Sequence, residues 1–173
     1  KQIKNPRGIW YTPVTGIWQT VWLEPVATTY IQSLKTVPDV DGGKVIVTVT
    51  VAGGGPVAVQ AVVKADGKTI SEASGTSGNA LELKVENAKL WSPSSPFLYD
   101  LDVSIKAGDA VRSYFGMRKI SMAKDDKGVL RMLLNDEFVF HYGPLDQGWW
   151  PDGLYTPPTD EAMVYDLQVL KSL

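Results

Sequence analysis

The chain has 173 residues and a formal net charge of −2, with 17 Lys and Arg against 19 Asp and Glu and no cysteine. That length suits one domain of about 100–150 residues plus extensions, and an apolar fraction of 44% is enough for a core. The balanced charge without a basic cluster argues against nucleic acid, the lack of Cys excludes disulfides and thiol chemistry, and no apolar run reaches the roughly 20 residues of a membrane-spanning helix.

In chain order, the segment up to Pro25 is Trp-rich and interrupted by Pro6, Gly8, Pro13 and Gly16. Ile17, Gln19, Val21 and Leu23 alternate with Trp18, Thr20, Trp22 and Glu24, which reads as a strand carrying apolar residues on both faces. Trp10, Trp18 and Trp22 have two readings: an aromatic platform for sugar rings, or packed residues of a sheet. From Ala27 to Met122 the rhythm is of short strands at sandwich spacing. Tyr30 to Val37 opens it, and Pro38-Asp39-Val40-Asp41-Gly42-Gly43 turns the chain. Lys44 to Ala52 places Val45, Val47, Val49 and Val51 on one face. Gly53-Gly54-Gly55-Pro56 breaks this strand; Val57 to Ala65 and a short edge strand, Lys68 to Ala73, then flank Asp66-Gly67, a hairpin signal. Ala80 to Glu86 points Leu81, Leu83 and Val85 inward. Pro93 and Pro96 exclude a helix before Tyr99 to Ile105, while Trp91 and Phe97 bring apolar area to that corner. Ala107-Gly108-Asp109 turns into a final strand, Val111 to Ile120. Seven alternating strands of 6–10 residues without a helical pattern predict an all-β, immunoglobulin-like sandwich.

Lys124-Asp125-Asp126-Lys127-Gly128 is an exposed charged turn, read here as a boundary. A hairpin follows, Val129 to Leu134 and Glu137 to Tyr142 around Asn135-Asp136, then a loop from Gly143 to Pro158. Thr159 is a helix N-cap, Asp160 and Glu161 suit the positive end of the helix dipole, and Met163, Leu167 and Leu170 form an apolar stripe. The sequence starts at Lys1 rather than Met, shows no signal-peptide pattern, and stops inside this helix, so it reads as part of a longer polypeptide.

Three stretches carry a family resemblance. Leu90-Trp91-Ser92-Pro93, Tyr99 with Leu101, and Phe115-Gly116-Met117-Arg118 resemble the last hairpin of the immunoglobulin-like domain of glycoside hydrolase family 2, which contains β-galactosidases, β-glucuronidases and β-mannosidases. Gly16 to Glu24 resembles the segment leaving that family's N-terminal jelly-roll domain, and Leu133 to Phe140 resembles the hairpin entering its catalytic barrel. The resemblance implies that residues 1–26 are the trailing strand of a jelly-roll sugar-binding domain. Residues 27–122 would be the sandwich, and 123–173 the beginning of a truncated (β/α)8 barrel. It also implies a parent that hydrolyses β-glycosidic bonds by retaining double displacement, in the periplasm or secreted, with a carbohydrate substrate and without metal or cofactor. The flanking jelly-roll and barrel domains would be the partners. The alternative is a stand-alone carbohydrate-binding or adhesion sandwich.

A retaining glycosidase needs two carboxylates about 5–5.5 Å apart. The resemblance places both on barrel strands later than any residue here, so no catalytic residue is assigned in this chain. Asp125 with Asp126 and Asp160 with Glu161 fall in a turn and a helix start, where neighbouring side chains do not converge. His141, the only histidine, reads as a strand residue, since one His without Cys partners makes no zinc site. Loops following barrel strands build active sites, which selects Leu145 to Asp152 as the candidate. Asp146, Gln147 and Asp152 would hydrogen-bond hydroxyls, and Trp149 or Trp150 would stack on a pyranose. The competing reading is that both Trp residues pack the loop onto its surroundings. The matching loop in many β-galactosidases is richer in His and Glu, a departure that puts galactoside specificity in doubt.

Overall fold

A computed structural model describes residues 2–106 and 108–173; Lys1 and Ala107, the latter part of the expected turn at 107–109, lie outside the described residues. The described residues form ten strands and one helix, and divide into two compact units, Pro25–Phe140 and Lys1–Glu24 with His141–Leu173.

The first unit is built on a sandwich. Its strands are β1 (Tyr30–Asp39), β2 (Lys44–Ala52), β3 (Ala58–Ala65), β4 (Lys68–Thr76), β5 (Ala80–Lys84), β6 (Tyr99–Ile105) and β7 (Ala110–Phe115). They form an antiparallel sheet β1-β2-β5 and a second, β4-β3-β6-β7. The inward face of each strand follows from period-2 alternation. Val45, Val47 and Val49 of β2 with Leu81 and Leu83 of β5 oppose Val59, Ala61 and Val63 of β3 with Leu101, Val103 and Ile105 of β6, all buried. The fold is therefore all-β, an immunoglobulin-like sandwich of seven strands.

At the corner before β6 the aromatics close one end of the core. Phe97 meets Tyr99 edge-on at 4.9 Å and Tyr99 stacks on Phe115 at 5.4 Å, while the Tyr99 hydroxyl accepts the Lys89 N–H at 2.8 Å. This corner also ends β7 earlier than its alternation suggests. Gly116 lies so close to Trp91 that a Cβ there would stand 3.1 Å from the Trp91 Cβ. The Trp91 N–H donates to the Met117 carbonyl at 2.8 Å, so the ladder partner switches and the chain leaves the sheet. Arg118 sets its guanidinium 4.9 Å from the centre of the Trp91 ring, a cation–π contact.

The chain then forms a third antiparallel sheet, β10-β9-β8, from β8 (Ile120–Lys124), β9 (Leu130–Leu134) and β10 (Glu137–Phe138). The charged turn at 124–128 joins paired strands β8 and β9. β10 is shorter than expected, and His141 lies in exposed coil beyond it. Asn135 and Asp136 both adopt positive φ, 54° and 67°, as a two-residue turn matching strand twist requires.

Among the described residues of the second unit the only regular element is the helix α1 (Asp160–Ser172). Thr159 is extended and accepts the Ala162 N–H at 3.1 Å, the N-cap expected. The alternating segment Ile17 to Leu23 is not a strand: Trp22 is 70% and Leu23 99% exposed. A strand needs an edge to pair with, and among the described residues none pairs with it.

Candidate functional site

The site is assembled by two short chain segments of the Lys1–Glu24 and His141–Leu173 unit. In the N-terminal segment, Gly8 at φ 53° turns the backbone so that Arg7 and Trp10 exchange N–H···O bonds of 3.1 and 2.9 Å. The Ile3 N–H then donates to the Tyr11 carbonyl at 3.1 Å, which fixes Tyr11. In the C-terminal segment the Asp146 carboxylate accepts the Gly148 N–H at 2.7 Å, an Asx turn that presents Gln147 and Trp149. Trp150 and Leu154 then exchange backbone bonds of 2.8 and 3.1 Å around a tight turn. Leu154 sits at φ 57°, a left-handed conformation costly for a side chain of its size. Gly153 allows the turn, since a Cβ there would stand 1.8 Å from the Thr156 carbonyl oxygen.

These turns align four aromatic rings. Tyr11 stacks on Trp149 at 4.7 Å and 11°, Trp149 meets Tyr155 edge-on at 4.9 Å and 80°, and Tyr155 lies 6.3 Å from Trp18, tilted by 53°. Both edge-to-face and offset stacking are favourable arrangements for such pairs. Polar groups lock the rings. The Tyr11 hydroxyl donates to the Gln147 Oε1, and the Thr156 hydroxyl donates to the Trp18 carbonyl at 3.2 Å. The Gln2 amide reaches the Tyr155 hydroxyl at 3.5 Å, while its Oε1 accepts the Val14 N–H at 3.3 Å. Beside Trp18 and Tyr155 opens a cavity of about 360 Å³, within the range of roughly 300–1,000 Å³ for small-molecule sites.

Among the loop residues singled out from sequence, Gln147 and Trp149 enter this cluster. Asp146 is committed to its own turn, Trp150 is half-buried in the next turn, and Asp152 is exposed at that turn's tip. Sequence reading missed Tyr11, Gln2 and Tyr155: Tyr11 and Gln2 meet the C-terminal segment through contacts spanning 136 and 153 residues, while Tyr155 meets Trp149 within its own segment. Among the described residues no group of three or more His, Cys, Asp or Glu side chains is placed to hold a metal ion. One member of each acidic pair has a local duty. Asp125 is held below the ordinary carboxylate range, chiefly by the Val129 N–H and then by Arg131. Glu161 is also lowered, by its own backbone N–H and then by Thr159, the favourable setting of a helix N-terminus.

The profile of glycosyl hydrolases family 2 matches residues 29–118, more than half of the chain. The chain belongs to this family. The match spans all seven sandwich strands, so the family assignment rests on the fold's own core. Solved structures agree on that fold. A β-D-glucuronidase from Dictyoglomus thermophilum superposes with a TM-score of 0.65 at 21% identity over 83% of this family 2 chain. A β-glucuronidase from Ruminococcus gnavus in complex with uronic deoxynojirimycin gives 0.65 at 22% over the same share. The same organism's enzyme in complex with uronic isofagomine gives 0.64 at 24%. This chain spans 24%, 24% and 23% of those three. No curated protein sequence matches it.

Proposed function

We propose that this family 2 chain is the non-catalytic linking part of a longer glycosidase that cleaves β-glycosidic bonds with retention of configuration. The observation that carries the reading is the family match over residues 29–118, which falls on the sandwich. Two further facts support it. The chain spans about a quarter of the glucuronidases that share its fold. Of its tempting carboxylates, Asp125 is engaged in a hairpin turn and Glu161 in a helix start.

In this reading the sandwich is a spacer, residues 1–26 belong to a preceding sugar-binding domain, and residues 123–173 begin the catalytic barrel. The loop bearing Asp146, Gln147, Trp149, Trp150 and Asp152 then lies on the sugar side of that barrel, where loops following strands build sites. Trp149 offers a ring already braced by Tyr11 and Tyr155. The test is incubation of the purified chain with 4-nitrophenyl β-glucoside, β-galactoside, β-mannoside and β-glucuronide. No release of nitrophenol above buffer is expected. Turnover of any of the four by the purified chain would overturn the assignment.

A further inference from the structure

Met117, Met122 and Met132 stand close together in the sequence, yet the fold places them in opposite settings. Met117 belongs to the core at 0% exposure, whereas Met122 is 67% and Met132 50% exposed. Met122 on β8 and Met132 on β9 are direct partners in the antiparallel ladder. Directly paired residues point to one face with Cβ atoms about 4.5–5.5 Å apart, so the two thioethers stand side by side. By the same register Ile120, Leu130 and Leu134 share that face, which makes it apolar.

Packing does not account for the pair. Methionine serves a core by bending to fill an irregular gap, and it lacks the branching that suits Val, Ile and Thr to strands. On an exposed face that adaptability fills no gap, while the soft sulfur is left open to solvent. The chemistry such a sulfur offers is two-electron oxidation to the sulfoxide. The sulfur attacks one oxygen of hydrogen peroxide, and the O–O bond breaks as the S–O bond forms. The proton on the attacked oxygen passes to the departing hydroxide, which leaves as water. Sulfur is oxidised and peroxide reduced. Two thiols reverse the change: the sulfoxide oxygen departs as water with their protons, and the thiols become a disulfide.

From this we infer that the Met122–Met132 pair is a modification site, oxidised by peroxide and restored by thiols, that turns the apolar face of the third sheet polar. The β8–β9 ladder is made of backbone bonds, so the strands stay paired when the sulfurs change. Met117 is shielded, so the sandwich keeps its packing. The inference does not rest on the linking role proposed above, since nitrophenol release tests that role and oxygen uptake tests this site.

Timed exposure of the full chain to hydrogen peroxide, with peptide mass spectrometry of oxygen uptake, tests it. Met122 and Met132 are expected to lead, the less exposed Met163 of α1 to follow, and Met117 to lag the pair at least tenfold. In guanidinium the four should react alike. Methionine sulfoxide reductases with a dithiol should return the pair to its reduced mass. Fluorescence of ANS, a dye that reports exposed apolar surface, should fall on oxidation and recover on reduction, while the cooperative melt persists. The double variant Met122→Leu, Met132→Leu keeps the face apolar and should lose the peroxide response of the dye. Met117 keeping pace with the pair, Met163 leading both, loss of the cooperative melt on oxidation, or an unchanged dye response in the double variant would each overturn the inference.

Discussion

At the scale of single residues, Asp125 shows how a carboxylate that looks catalytic in sequence can be wholly structural. Its side chain accepts the Lys127 and Val129 N–H groups and the Arg131 Nε–H, each at 2.9 Å. These donors favour the ionised form, so its pKa falls below the ordinary carboxylate value, chiefly through Val129. A depressed native pKa means that the unfolded chain takes up the proton first on acidification. The stability Asp125 supplies is therefore complete above the unfolded value and fades as the pH drops through the native one. Asp125→Asn should lower the melting temperature at about pH 7, and the difference from the unaltered chain should close on titration to about pH 2. Thermal melts across that range check it. A difference that stays constant or grows in acid would show that the carboxylate's charge is not what holds the turn.

At the scale of elements, the third sheet is fastened to the sandwich by one turn. Asn135 donates through Nδ2 to the Trp91 carbonyl at 3.0 Å and accepts the Lys119 N–H at 3.0 Å. The Lys119 ammonium bridges Asp41 and Asp136, both at 2.9 Å, and is held above its ordinary pKa first by Asp41 and then by Asp136. Asn135 also occupies a left-handed conformation that few side chains other than Asn, Asp and Gly accept readily. Asn135→Ala should cost about 2 kcal/mol, since it strands the Trp91 carbonyl and the Lys119 N–H and forces an alanine into that conformation. Chemical denaturation measures it, and a loss below about 0.5 kcal/mol would mean the turn is not a fastening point. Elements such as this set the limit of what the sequence discloses. β5 and β6 are legible because apolar residues alternate strictly with polar ones, and their inward faces are the buried ones. The end of β7 is not legible, because it is dictated by the approach of Trp91 to Gly116, a contact no local pattern encodes. The alternation from Ile17 to Leu23 is equally clean but yields no strand, since alternation describes two faces and says nothing about an available edge. In the candidate site, Trp149 and Gln147 could be selected from a loop rich in Trp and polar residues. Tyr11 could not, because only the meeting of distant segments gives it a role.

At the scale of the whole molecule, the two units differ in what holds them. Every buried apolar residue, from Val45 to Met117, lies within Pro25–Phe140. The other unit relies on half-buried aromatics, short backbone bridges and a helix with no buried residue. Burial of apolar area is the dominant favourable term in folding, so the cooperative transition of the chain belongs to the sandwich unit. Leu101→Ala, which empties a fully buried position between the sheets, should lower stability by about 2–5 kcal/mol. A chain cut to Pro25–Phe140 should melt within a few degrees of the full one, because it retains every core residue. Hydrogen exchange on the full chain should agree, with slow amides in β2, β3 and β6 and fast exchange in residues 2–24 and 141–173. If the shortened chain instead lost its cooperative melt, the segments outside Pro25–Phe140 would have to carry stability that their exposure does not suggest.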